Sequence, residues 1–394
     1  MKDKLHIGIA CNITTGKLDS NHAIEGGEYP FFTCAAEPIH IDHYSFDGDV
    51  VLVAGNNAQG NFHINRFKGK FNAYQRTYVL TAKENFDIDY IYYSLRLELK
   101  RLKEKAQGSQ TKFLTMPILE GIALREINSN IQKKIADVLS ALDAKIELNN
   151  RINAELESLA KTIYDYWFVQ FDFPNADGKP YKSSGGEMVY VDGGGCDRAI
   201  PAGWEIGCVS DLFEINPSET LSKGNISAYI DMSAIPTSGF MTGEIQYKPF
   251  NGGMKFRNGD VVIARITPCL ENGKTGLITL LKDNEIGFGS TEFIVLRGKN
   301  RSLSSFAACL SRSTSFRNFA ISNMTGTSGR KRVDAKAIER FSIPIPENGL
   351  ISQFENVVSR YFQLLTINTR ENQQLTKLRD WLLPMLMNGQ VSIK

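Results

Sequence analysis

Asn149–Leu159 reads NNRINAELESL, and Asn368–Leu378, 219 residues further on, reads NTRENQQLTKL. Each stretch lies inside a longer tract built from helix formers. The first tract, Asn130 to Phe168, has neither Gly nor Pro, which predicts one continuous helix of roughly 55 Å. Its apolar residues fit a heptad with a positions at Ile135, Leu142, Asn149, Leu156 and Ile163. Val138, Ile152 and Leu159 fill the d row, and Lys145 interrupts it. A shift of 219 carries this frame onto a second helix beginning near Leu350. There Phe354, Tyr361, Asn368, Leu375 and Leu382 take a, Val357, Leu364, Leu378 and Met385 take d, and Glu371 breaks the row. Such helices need partners along their length. If they pack antiparallel, Asn149 and Asn368 face each other in the seam, and a buried polar pair penalises slipped registers.

The likeness extends outside the helices, at the same offset in the segments nearest to them. Gln110–Ile122 (QTKFLTMPILEGI) aligns with Gly329–Phe341 (GRKRVDAKAIERF), and FDGDVVLVAG at Phe46 is echoed by FRNGDVVIARI at Phe256. RTYVLTA at Arg76 pairs with TEFIVLR at Thr291. These are β-type runs punctuated by Gly, Asn and Asp, so each half consists of a mixed globular part followed by a long helix. Between the halves, FPNADGKPYKSSGGEMVYVDGGGCDRAIPAGW is dense in Gly and Pro and predicts a linker. The first half lacks a counterpart to IPAGWEIG.

A chain of 394 residues, 42% hydrophobic, holds more than one core. With 45 basic and 43 acidic residues, any nucleic-acid contact must come from a local basic face. The cysteines (Cys11, Cys34, Cys196, Cys208, Cys269, Cys309) and histidines show no metal-ligand spacing. No apolar run reaches membrane-spanning length. The expected compartment is the cytoplasm. No nucleophile constellation or phosphate-binding glycine loop stands out.

Two globular parts joined by duplicated long helices resemble the specificity subunit of Type I restriction-modification systems, over nearly the whole chain. IPAGWEIGCVSDLFEI (Ile200–Ile215), GEYPFF (Gly27–Phe32), the F-x-x-GD-V strands, and the helix ends LAKTIYDYWFVQF and LRDWLLPMLMNGQ carry the resemblance. It implies an α+β fold: two target recognition domains joined by two long antiparallel coiled-coil helices, with a pseudo-twofold internal repeat. The expected boundaries are 1–128 and 200–346 for the recognition domains, 129–168 and 347–388 for the helices, 169–199 for the linker and 389–394 for a tail. Each domain would read one half of a bipartite double-stranded DNA target, while the helices measure the unread spacer and dock two modification subunits. Those partners carry S-adenosylmethionine and methylate adenine; restriction subunits use ATP and Mg. This chain would be non-catalytic, with no cofactor or membrane association of its own. A non-catalytic coiled-coil adaptor whose globular domains bind proteins is the alternative, and an enzyme with an unrecognised site is a third reading.

Candidate DNA contacts follow from residue type and position. Arg330, Lys331 and Arg332 lie between glycines in GTSGRKRVD and suit phosphate; the matching GSQTKFLT holds Lys112. Polar loops leaving strands present Asn56, Asn57, Gln59, Asn61 and Arg66 in the first half, and Arg265, Thr267, Asn272 and Lys274 in the second. Arg can bond guanine edges, and Asn or Gln can bond adenine. Gln75 and Arg76 lead into a strand, and Arg312 and Arg317 lie in SRSTSFRNF. Ordinary turns and solvated surface explain each of these residue types equally well. Trp167, Phe168, Trp381 and Leu382 are expected to close the helix ends by packing.

Overall fold

The computed structural model describes residues 5–56, 62–105, 113–191, 198–300, 303–327, 329–346 and 349–393. The chain forms two compact units, Met1–Ile146 with Gln374–Lys394, and Glu147–Gln373. The two long helices, Ser129–Tyr164 and Leu350–Met387, are therefore each divided between the units. Sequence placed the divisions at the helix ends; the contacts place them inside the helices, because each globular part is built onto helical segments from both.

In the first unit, β1 (Cys11–Thr15), β2 (Tyr29–Phe32), β3 (Ile39–Ile41), β4 (Phe46–Ala54), β5 (Ile64–Ala73) and β6 (Thr77–Ala82) form one sheet in the order β1-β6-β4-β5-β2-β3. Only β2 and β5 pair in parallel. The sequence of β4 explains its place. Its FDGD half alternates in exposure, whereas VVLVA is buried on both faces, as a continuous β-branched run predicts. Val51 and Val53 pack with Leu80 beneath Ile91, Leu95 and Leu99 of the Ile88–Lys105 helix. Val50, Leu52 and Val79 pack on the other side with Phe32 and Phe71. The opposite face of that helix, Tyr90, Tyr93 and Leu97, meets Ile135 and Leu139 of the first long helix and Leu383 and Leu386 of the second. Asp143 pins this junction, accepting from Tyr93 Oη (2.8 Å), Arg96 (3.1 Å) and Arg379 (2.6 Å).

In the second unit the segment after the first long helix, expected to be a linker, is fastened down. The Phe173 ring stacks on Tyr181 (4.7 Å between centroids) and on Trp204 (5.3 Å). A hairpin of β7 (Met188–Val191) and β8 (Arg198–Pro201) follows, then β9 (Glu205–Cys208) and β10 (Phe213–Ile215). Next come β11 (Ile226–Ile230), β12 (Gln246–Pro249), β13 (Met254–Phe256), β14 (Val261–Ala264), β15 (Thr275–Leu277), β16 (Gly287–Gly289) and β17 (Phe293–Gly298). The unit closes with β18 (Met324–Thr325), β19 (Arg332–Val333) and β20 (Ser342–Ile345). The sheet order β10-β17-β14-β15 parallels β1-β6-β4-β5, and a second sheet runs β12-β11-β16-β13. Val261 and Ile263 of β14 face Ile294, Leu296 and Phe306, in a core that also takes in Phe168 and Phe354 of the long-helix tracts. Val262 and Val295 face the second sheet through Ile230 and Phe256.

Edges match as well. Ile7 N donates to Ile122 O (2.9 Å), and Val209 N to Phe341 O (3.0 Å). The β9–β20 ladder of the second unit has a reduced counterpart in a single bridge, His6 to Ala123, where sequence found no equivalent of IPAGWEIG.

The a positions point inward: Ile135 and Phe354 are buried, while Leu142, Leu156, Ile163, Tyr361, Leu375 and Leu382 are half-buried. The companion row lies one residue beyond the expected d row. Leu139, Ala160, Val358, Leu365 and Leu386 are buried, whereas Val138, Ile152, Leu159, Val357, Leu364 and Leu378 are exposed. A row at a+4 gives the same alternating three-and-four spacing as one at a+3, so periodicity alone does not choose between them. Phe168 is buried and Trp167 packs on Phe354 (5.9 Å), but Trp381 is exposed. No described helix is long and apolar enough to cross a membrane.

Candidate nucleic-acid interface

In the second unit three segments that are distant in sequence meet at the end of β14. Arg265 N donates to Glu292 O and Val333 N donates to Arg265 O, both at 2.9 Å. Ile266 bridges Arg332, and Thr267 N donates to Lys331 O at 3.0 Å. The β18–β19 hairpin, whose turn contains Gly326 and Gly329 at positive φ, is thereby laid against the loop that carries Arg265, Thr267 and Asn272. Arg317 reaches the same loop at Gly273. Arg330, Lys331, Asn272 and Arg317 are exposed. The fold thus gathers Arg265, Thr267, Asn272, Arg317 and Arg330 to Arg332 on one face.

Not all of these cations point outward. Arg332 is locked to Glu292 through Nε (2.9 and 3.0 Å) and Nη2 (2.7 Å). The Arg332 hydrogen bonds hold the Glu292 carboxyl below the usual carboxylate range. Glu292 was not singled out from sequence; its place at the head of the strand matching TYVL was the available signal. Lys274 donates to Met232 O (2.7 Å).

Arg312 is a tie rather than a surface cation. It donates to the carbonyls of Thr237 (3.0 Å), Pro236 (3.1 Å), Gly273 (3.2 Å) and Thr275, and burial pulls its pKa down to about 10. The expectation that it follows a phosphate backbone gives way to this role. The same holds for Arg66, which pairs with Asp49 and Asp89 (2.7 Å to the latter) and donates to the carbonyls of Val50 and Phe67. On a strand surrounded by carboxylates and open carbonyls, an Arg fork is satisfied within the fold.

The first unit repeats the backbone junction. Gly55 N donates to Arg76 O (2.8 Å), Leu114 N donates to Gly55 O (2.9 Å), and Asn56 bridges Phe113. Gly55, Arg76 and Phe113 thus occupy the nodes held by Arg265, Glu292 and Arg332. A Cβ at Gly55 would come within 2.6 Å of the Arg76 carbonyl oxygen, so this node carries no side chain. Gln75 and Arg76 are exposed in the turn before β6. Asn57, Gln59, Asn61 and Lys112 lie outside the described residues.

Between the long helices, within the second unit, each of the two asparagines donates to other residues. Asn149, 1% exposed, donates to Glu371 (2.7 Å) and Asn372 (2.9 Å), and Asn368 donates to Asn153 (2.9 Å). Asn372 donates in turn to Asn150 (2.8 Å). The pairing of 149 with 372 and 153 with 368 is antiparallel and staggered by one turn from the expected face-to-face pair. The cause is the a+4 row, which brings Asn153 and Asn372 into the seam.

The family model for the Type I restriction modification DNA specificity domain matches residues 7–158 and 201–377. The EcoDI specificity subunit of Escherichia coli is 37% identical over 143 residues, covering 36% of this chain and 31% of that one. The EcoAI subunit of the same organism is 34% identical over 186 residues, again covering 31% of its length. This chain therefore spans about a third of those two relatives. The HindI specificity subunit of Haemophilus influenzae is 24% identical over 355 residues, 74% of each chain. The crystal structure of the S subunit from M. genitalium shares the fold, with a TM-score of 0.64 and 16% identity over 98% of this chain and 96% of that one. Since the match takes in both junctions and most of both long helices, the chain belongs to the Type I restriction-modification DNA specificity domain family.

Proposed function

We propose that the chain is the DNA-recognition subunit of a Type I modification and restriction complex, addressing partner enzymes to a bipartite target. The observation that carries this reading is the repeated junction: one backbone frame in both units, with Gly55, Arg76 and Phe113 on one and Arg265, Glu292 and Arg332 on the other. A repeated frame with divergent side chains suits two different half-sites, read by polar groups on a rigid scaffold. Exposed Arg330, Lys331 and Arg317 suit phosphate contacts that position the duplex. The internal repeat and the paired helices then act as a ruler, with the polar ladder around Asn149 and Asn368 setting its register. Recognition domains one helical turn apart on DNA would need a separation of about 34 Å.

The exposed apolar row on each helix, Val138, Ile152 and Leu159 on the first and Val357, Leu364 and Leu378 on the second, suits docking of two modification subunits. Methyl transfer from S-adenosylmethionine, and ATP- and Mg-dependent restriction, belong to those partners, and this chain is non-catalytic and cytoplasmic. Co-expression with the modification subunit encoded beside its gene, followed by mapping of methylated adenines, tests the proposal. A bipartite motif with one fixed spacer is expected. Assembly of an intact complex that methylates no recurrent motif would overturn it in favour of a protein-binding adaptor.

A further inference from the structure

Arg265 Nε is buried and has no hydrogen-bond partner among the described residues, as is also true of Arg312 Nε. Arg312, however, spends its two terminal nitrogens on four carbonyls, and Arg332 is spent on Glu292. A buried Nε–H without an acceptor is costly in the unbound protein, which suits a position completed by a ligand.

The chemistry of that ligand follows from the surroundings. Arg330 and Lys331 are exposed on the hairpin, where a phosphate is reached without desolvation. Arg265 lies deeper, with its amide on the carbonyl of Glu292, whose carboxylate Arg332 holds in place. A fixed carboxylate repels a phosphate but leaves a neutral acceptor edge unopposed. The planar fork of arginine matches the O6 and N7 acceptors of guanine in the major groove. In the first unit the same node is Gly55, with no space for a side chain.

We propose that Arg265 is a specificity-determining residue that hydrogen-bonds a guanine edge in the half-site read by the second unit, with Glu292 as its positioning residue. The inference rests on the DNA-recognition reading above. It adds an asymmetry: guanine is demanded through this node in one half-site only.

The test uses the full chain assembled with its modification subunits and reads methylated motifs for wild type, Arg265→Ala, Arg265→Lys and Glu292→Gln. Wild type should give a bipartite motif; if it does not, the recognition reading fails and this inference with it. Given that motif, Arg265→Ala should relax one guanine-containing position in one half-site, lowering discrimination there roughly 5- to 150-fold, and should leave the other half unchanged. Arg265→Lys keeps the charge and lacks the fork, so it should relax the same position and serves if the alanine variant fails to assemble. Glu292→Gln should relax that position too. An unchanged motif, a relaxed position that is not guanine, or a uniform loss of methylation with an intact motif would overturn the role of Arg265. Full discrimination in Glu292→Gln would overturn that of Glu292.

Discussion

Replacing Asn149 by alanine tests the polar ladder between the long helices within the second unit. Asn149 is 1% exposed and spends both amide hydrogens, one on the Glu371 carboxylate at 2.7 Å and one on Asn372 at 2.9 Å. A hydrogen bond to a charged group contributes about 1.5 to 3 kcal/mol and a neutral one about 0.5 to 1.5 kcal/mol, so Asn149→Ala should destabilise the helix pair by about 2 to 4 kcal/mol. Two-state unfolding is not assured for a chain of two compact units, so the readout is amide hydrogen exchange on peptides covering the ladder rather than one global melting point. Glu371→Ala and the double variant complete a cycle in which the coupling should be about 1 to 2 kcal/mol. Distant, independent sites add within about 0.5 kcal/mol. A coupling below that level would refute the claim that the bond is energetically real. Val357→Ala on the same helix, at an exposed position, should change exchange by less than about 0.5 kcal/mol and serves as the control.

Arg297 bridges Asp260 (2.7 Å) and Glu219 (2.6 Å), whose side chains are 3% and 5% exposed. Arg297→Met should cost the second unit about 3 to 5 kcal/mol in denaturant unfolding by stranding the Asp260 carboxylate and leaving Glu219 with Arg257 alone. Burial pushes Glu219 up, but its bonds to Arg257 and Arg297 outweigh this and hold it low. Its contribution to stability is therefore present above the ordinary carboxylate range and lost as pH falls through the lowered pKa, which acid titration of the unfolding midpoint checks. Glu355 has the opposite sign. Burial raises its carboxyl although it accepts from Phe306 N at 2.7 Å near the start of the Ser304–Arg312 helix. Its stabilisation is thus lost as pH rises, and the stability of Glu355→Gln relative to wild type should grow from pH 4 to pH 8 in thermal unfolding. Arg312→Lys should lower the thermal midpoint by abandoning carbonyl partners while leaving the methylated motif unaltered; a changed motif would return Arg312 to the DNA-contacting set.

The fold was legible where sequence writes burial into composition. The VVLVA run of β4 and VVIA of β14 announced strands, and the Gly- and Pro-poor tracts announced the long helices. Legibility failed where two solutions share one period. An a row accepts a companion at a+3 or a+4, so Leu139, Ala160, Val358 and Leu365 were missed and Val138 and Leu159 wrongly placed inside. Site residues were less legible still, because sequence shows an arginine but not what lies across from it. Arg66 and Arg312 have the composition of readers and the partners of ties. Glu292 looks like an ordinary strand-end acid, yet its carboxylate organises Arg332 and its carbonyl accepts from the amide of Arg265. The signal that brought Arg265, Ile266, Arg332 and Val333 together is tertiary pairing between segments more than 60 residues apart in sequence.

The staggered ladder bears on register more strongly than a single facing pair would. With 149 opposite 372 and 153 opposite 368, a slip of one heptad toward the start of the second helix would set Asn149 against Leu365 and Asn153 against Tyr361. Apolar contacts tolerate such a slip, because the heptad brings another apolar residue into each hole. The amides do not: each buried donor left without an acceptor costs about 1 to 3 kcal/mol. Asn149 alone has two donors at stake. Within the first unit the same slip would part Asp143 from Arg379, now 2.6 Å apart and beside Tyr93 and Arg96. Polar groups in each unit's portion of the helix pair therefore penalise the same error independently. A spacer-measuring role requires that penalty, and an adaptor with solvated seams would not.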